Sequence, residues 1–82
     1  MSSEHSLLDR ITSDPGVMTG NPCIKGTRLT VEYMLGRLAT GSSIDELLEE
    51  YEGLTADDLR ACLLFASRSL GELEFMPLAA QR

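Results

Sequence analysis

The sequence predicts a mainly α fold: a short N-terminal β-hairpin or pair of strands, followed by a three-helix bundle of helix-turn-helix outline. Three observations carry this. Residues 11–30 are rich in β-prone pairs separated by Pro and Gly. From Val31 onward the apolar period switches to that of a helix, and the full amphipathic spacing recurs three times. Each recurrence is bracketed by capping and stop residues. The 82 residues make one small domain. Its expected division is a flexible N-terminus (1–10), a single domain (11–70) and a C-terminal tail (71–82).

In residues 1–10 only Leu7 and Leu8 offer an anchor, so the segment reads as frayed. Ile11-Thr12 is a short β-prone pair. Ser13-Asp14-Pro15-Gly16 is turn chemistry, because Pro presets φ and Gly permits positive φ. Val17-Met18-Thr19 reads as a second short strand, broken by Gly20-Asn21-Pro22. Cys23-Ile24-Lys25 is extended, and Gly26 marks a further turn before Thr27-Arg28-Leu29. A lone hairpin is marginal in water, so these strands need a helix to pack on or another chain to pair with.

The first helix carries Val31, Met34, Leu35 and Leu38 on one stripe, with Thr30 as N-cap and Gly41 as its stop. The second carries Ile44, Leu47, Leu48 and Tyr51. It opens on a capping box, Ser43 with Glu46, and stops at Gly53. The third carries Leu59, Cys62, Leu63 and Ala66, with Thr55 as cap, and runs to about Leu70. A short turn joins the last two, which gives the helix-turn-helix outline. Any small three-helix bundle shares that pattern, so fold alone does not assign DNA binding.

Composition narrows the function. The net charge of −6 lies wholly in residues 42–82, which hold nine acids against Arg60, Arg68 and Arg82; residues 1–41 are balanced. A DNA-binding domain usually shows a basic face, and only the N-terminal half can supply one. Cys23 and Cys62 have no metal-ligand spacing and no second cysteine nearby, so packing is expected of both. His5 is the sole histidine, which leaves no base for a Ser–His–Asp constellation. No enzyme, metal or cofactor is expected, and no membrane span. MSSEHSLLDR lacks a basic region followed by an apolar one, so no secretory signal is expected and the cytoplasm is the default location.

One stretch is more specific. Gly20-Asn21-Pro22-Cys23-Ile24-Lys25-Gly26-Thr27-Arg28 resembles the G-x-P-x-I-[KR]-G-T-R signature of a family of small bacterial and archaeal proteins, domain of unknown function 433. Ile11 through Gly16 resembles the family's lead-in, "I-x-x-D-P". Residues 38–47 resemble "L-A-x-G-x-S-x-E-E-I". Residues 51–59 resemble "Y-P-x-L-T-x-E-D-I", with Glu52-Gly53 departing from the usual Pro and variable residue. The resemblance spans roughly residues 8–70. It implies a homeodomain-like three-helix unit, a homodimer paired through the N-terminal β element, and a VapB-type antitoxin. The implied partners are a PIN-like ribonuclease toxin and the promoter DNA of its own gene.

Candidate DNA contacts are Lys25, Arg28, Ser43, Thr55 and Arg60. The third helix would be the recognition helix, its first turn facing the bases. Asp57 and Asp58 sit there, and a carboxylate repels phosphates; helix-dipole stabilisation is their simpler role. Lys25 and Arg28 flank a glycine turn. In a dimer they bring four positive charges to phosphates; alternatively Arg28 pairs with an acid such as Glu32. Gly20 to Thr27 is not a phosphate loop, since no lysine follows Gly26 and no apolar strand precedes Gly20. Leu64, Phe65, Leu70, Leu73, Phe75 and Met76 exceed what one small core can take. Leu64 and Phe65 lie off the third stripe. This surplus is read either as a partner-binding surface, with Leu64, Phe65, Leu73, Phe75 and Met76 as its contacts, or as a tail that covers the bundle.

Overall fold

Turn chemistry in the first third of the chain builds a hairpin, and helix caps in the rest build a bundle that holds it. The computed structural model describes residues 3–71. In chain order these form α1 (Ser3–Leu8), β1 (Ile11–Thr12), a 3-10 turn (Met18–Gly20), β2 (Cys23–Ile24), α2 (Val31–Ala39), α3 (Ile44–Glu50) and α4 (Ala56–Gly71). The three expected helices are α2, α3 and α4. No described helix is long and apolar enough to cross a membrane.

β1 and β2 pair antiparallel, Ile11 opposite Ile24 and Thr12 opposite Cys23. The Asp14 side chain accepts from the Gly16 amide at 2.9 Å, and the Ser13 hydroxyl donates to the Gly20 carbonyl. That clasp closes the loop. Inside it, Val17-Met18-Thr19 is not the strand the β-prone residues suggest. The Val17 amide bonds back to Asp14 and the Gly20 amide back to Val17, so turn follows turn and the segment pairs with no strand among the described residues. A second turn follows β2. The Ile24 amide donates to Leu29, the Thr27 amide to Ile24, and Cys23 bridges to Thr30. Gly26 sits in this turn at φ +82, a conformation glycine adopts without penalty.

The predicted caps are present. Thr30 accepts from the Tyr33 amide at 3.0 Å, and Gly41 (φ +112) follows the Thr40 C-cap of α2. Ser43 and Glu46 exchange both bonds of a capping box. α4 opens on a second reciprocal box. The Asp58 amide donates to Thr55 Oγ1 at 3.2 Å, and the Thr55 amide donates to Asp58 Oδ2 at 3.0 Å.

Ile24, Val31, Met34, Leu47, Leu59 and Cys62 form the buried core, with Ile11, Leu29, Leu35, Leu38, Leu48, Tyr51, Leu54 and Phe65 packed against it. Three expected placements change. Ile44 is 38% exposed and Leu63 48% exposed, although both fit the apolar spacing. Phe65, expected off the stripe, packs on the core. α4 touches α1 and β1 as well as α2 and α3, and this wider cover turns its buried face toward Asp58, Ala61 and Phe65. The segment expected to fray supplies that cover: Ser3–Leu8 is the helix α1, packed on α4.

Candidate nucleic-acid and partner surfaces

The two hairpin turns bring Lys25, Gly26, Thr27 and Arg28 together with Thr12, Asp14, Val17 and Cys23 around a cleft of about 530 Å³. Lys25 and Arg28 are exposed. Among the described residues no carboxylate lies within ion-pairing distance of either. The expected Arg28–Glu32 pair is therefore absent. Glu32, in the first turn of α2, lines a different groove, while Arg28 lines the hairpin cleft. The Thr27 hydroxyl donates to the Ile24 carbonyl at 2.8 Å and accepts from the Leu29 amide at 3.0 Å, which holds the loop in one shape.

The start of α4 is the opposite kind of surface. Asp58 is 8% exposed. Its Oδ2 closes the capping box, and its Oδ1 accepts from Arg10 at 3.1 Å. Asp57 lies 2.6 Å from Arg60 and 3.8 Å from Arg10. Asp58 thus does more than favour the helix dipole: it ties the entry to β1 onto α4. Ser43 and Thr55 both spend their side-chain oxygens on helix caps. Arg60 carries its own neutralising partner. α3 adds Asp45, Glu46, Glu49 and Glu50 as exposed acids.

Arg37 centres a cluster that sequence reading missed. Its guanidinium grips Glu50 with two bonds, 2.7 and 3.0 Å, and reaches Ser42, Tyr33 and Tyr51 at 3.3 Å. The Tyr51 hydroxyl donates to Tyr33 at 3.2 Å. These bonds clamp α2 to α3. The Arg37 bonds hold Glu50 below the usual carboxylate range, and Arg37 itself is shifted up by Glu50. Donation to Tyr33, with burial and Glu50, pushes Tyr51 up to about 12, while bonds from Tyr51 and Arg37 lower Tyr33. The only hint in the sequence is the i, i+4 spacing of Tyr33 and Arg37.

An apolar groove of about 380 Å³ runs between α2 and α4. Pro22, Val31, Leu35, Phe65, Ala66 and Leu70 line it, with Glu32 and Ser69 at the edge. Leu70 is 63% exposed. Of the expected partner contacts, Phe65 faces this groove and Leu64 is half-buried. Leu73, Phe75 and Met76 lie outside the described residues. Cys23 and Cys62 are free and buried; burial, with Asp58 nearby, pushes the Cys62 thiol up to about 11. Among the described residues no three His, Cys, Asp or Glu side chains gather as metal ligands would.

A family model described as a protein of unknown function, DUF433, matches residues 11–66, from β1 through most of α4. The chain belongs to the DUF433 family. The match covers both turns of the hairpin, the Arg37 cluster and the capped start of α4, so these are parts of the DUF433 domain itself. A crystal structure of a DUF433 member protein from Anabaena variabilis ATCC 29413 is similar, with a TM-score of 0.73 and 32% identity over 83% of this chain and 67% of that one. An uncharacterized protein of Sinorhizobium fredii, y4eO, is 32% identical over 56 residues, which are 68% of this chain. The chain spans about a quarter of that relative's length, 25%.

Proposed function

We propose that this DUF433 chain is a VapB-like antitoxin of homeodomain-like, helix-turn-helix type. It binds and neutralises a PIN-like ribonuclease toxin and binds its own promoter DNA as a dimer. The observation that carries the partner half is the apolar groove between α2 and α4, open to solvent beside the exposed Leu70. An apolar groove rimmed by polar residues is the common form of a helix or peptide dock. The exposed acids of α3 suit a basic partner. β1 supports the dimer, because its far edge has no strand beside it among the described residues. Under this reading the chain is cytoplasmic and is not an enzyme; it works by occlusion.

A second reading has its own support. Arg10, just before β1, and Arg60 are held by Asp57 and Asp58 at the start of α4, and α3 is acidic. That favours a protein-interaction module without a DNA role.

The test is co-expression of the tagged chain with the untagged product of the neighbouring reading frame. A stoichiometric complex that relieves the neighbour's toxicity supports the antitoxin reading, and Leu70→Glu should then weaken the complex. A neighbour that stays toxic and unbound overturns it. Affinity for the promoter fragment, measured across salt concentrations, separates the two readings, since phosphate contacts make binding fall steeply with salt.

A further inference from the structure

We propose that the hairpin cleft between β1 and the Lys25–Arg28 turn is a phosphate-binding site, and that it, rather than the start of α4, carries the chain's contact with the DNA backbone. The DNA part rests on the promoter-binding reading above; the phosphate site does not.

The inference comes from where positive charge is left unspent. Arg10, Arg37 and Arg60 each have a carboxylate within 3.1 Å. Lys25 and Arg28 have none among the described residues, and both line one cleft. The turn that carries them is built. Thr27 bonds to Ile24 through its amide and its hydroxyl, and Ile24 bonds to Leu29. Cys23 and Ile24, at its base, are 1% and 3% exposed, so the loop stands on the core. A backbone held this way need not be ordered again when its two cations meet an anion, so only their side chains lose freedom.

The backbone points the same way. Gly26, at φ +82, has open space where a Cβ would stand. A phosphate oxygen can approach the main chain there without a side chain in its path. The amides of Gly26 and Arg28 make no hydrogen bond among the described residues and remain as donors. The Thr27 amide between them is spent on Ile24, so the loop offers two separate N–H donors beside its two cations. The cleft also holds Asp14. Its Oδ1 is engaged by the Gly16 amide, but its charge still opposes an anion. The site is thus tuned to moderate affinity, as befits a backbone contact made once per protomer and summed over a dimer. The α4 start offers no such surplus: Arg60 pairs with Asp57, and Arg10 is engaged by Asp57 and Asp58.

Two probes test this on the full chain. The first is a duplex of its own upstream sequence, read by fluorescence anisotropy across salt concentrations. Lys25→Ala with Arg28→Ala should lower affinity roughly tenfold and flatten the log–log salt slope by roughly 2 per protomer. Arg60→Ala should leave both near the native values. Asp14→Asn, which keeps the acceptor for Gly16, should tighten binding. The second probe is inorganic pyrophosphate, read by amide NMR shifts. Shifts should centre on residues 25–28 and vanish in the double variant. Thermal melts establish that each variant is folded.

Loss of DNA binding in the double variant, with shifts at the loop, supports the proposal. Loop shifts without DNA binding keep the phosphate site and overturn promoter binding. DNA binding that survives the double variant, or that Arg60→Ala abolishes, overturns the proposal. No shift at the loop and no DNA binding overturns it as well.

Discussion

The hairpin turn and the start of α4 present the same kinds of side chain and use them in opposite ways. At the start of α4 two acids engage the nearby arginines: Asp58, mostly buried, is held by Arg10, and Asp57, at the surface, pairs with Arg10 and Arg60. At the hairpin Lys25 and Arg28 line a cleft and, among the described residues, pair with no carboxylate. The difference teaches that availability, not residue type, marks a binding cation. A charge that already satisfies a buried acid costs stability to recruit, while one on a rigid exposed loop does not.

That comparison can be broken most directly at Asp58. Asp58→Ala removes the carboxylate half of the Thr55 box and the nearer of the two carboxylates around Arg10, for an expected loss of about 1–3 kcal/mol in urea unfolding. Asp58→Asn keeps an acceptor for the Thr55 amide and should cost less. An Asp58→Ala variant as stable as the native chain would show that α4 does not spend its charges on structure.

On the hairpin side, Gly26→Ala forces an alanine into the left-handed region, at about 1–2 kcal/mol. Open space surrounds the added methyl, so the cost is conformational and the loop shape, with its anion affinity, should suffer together.

The Arg37 clamp gives a pH signature. Glu50 is held below the ordinary carboxylate value in the folded chain. Its stabilisation is therefore full at neutral pH and fades as pH falls through about 4 toward the folded value. The phenols sharpen this. Tyr33 should ionise below the usual value of about 10 and Tyr51 near 12 in an absorbance titration. Arg37→Gln should move Tyr33 upward and remove the acid-side loss.

The smallest effect is expected at Arg60. Its pair with Asp57 is exposed, so Arg60→Ala should change stability by under about 0.5 kcal/mol. A larger loss would mean that the arginine braces α4 more than its surface position implies.

What could be read from the chain was local. Thr30, Ser43 and Thr55 cap helices whose signals sit within four residues of them, and Gly41 follows the end of α2 by its own backbone freedom; α3 ends earlier than its expected stop, at Glu50 with an extended Tyr51, and Gly53 lies in the turn beyond. The family signature likewise lies on one continuous stretch, Gly20 to Arg28, from the end of the 3-10 turn through β2 into the next turn. What escaped was non-local. The Arg10–Asp58 bond joins residues 48 positions apart, and no periodicity announces it. Phe65 joined the core because α1 and β1 reshaped the cover over α4, and a six-residue helix has too few turns to show a pattern. Lys25 and Arg28 were visible as charges. The cleft that gathers them with Thr12 and Asp14 exists only once the hairpin has closed.

The two buried thiols fall one to each of the compared regions. Cys23 lies at the base of the hairpin, its S–H turned to the Asn21 carbonyl, and Cys62 lies in the middle of α4. At neutral pH both are shielded from alkylating reagents, Cys62 doubly so because its thiolate is disfavoured. Each therefore reports when its own region opens. If the hairpin breathes without the bundle, Cys23 is modified first; if the two open as one cooperative unit, both sulfurs react at a common rate. The molecule thus carries a pair of native clocks, and their relative speed tells whether a loop that meets anions can move independently of the helices that support it.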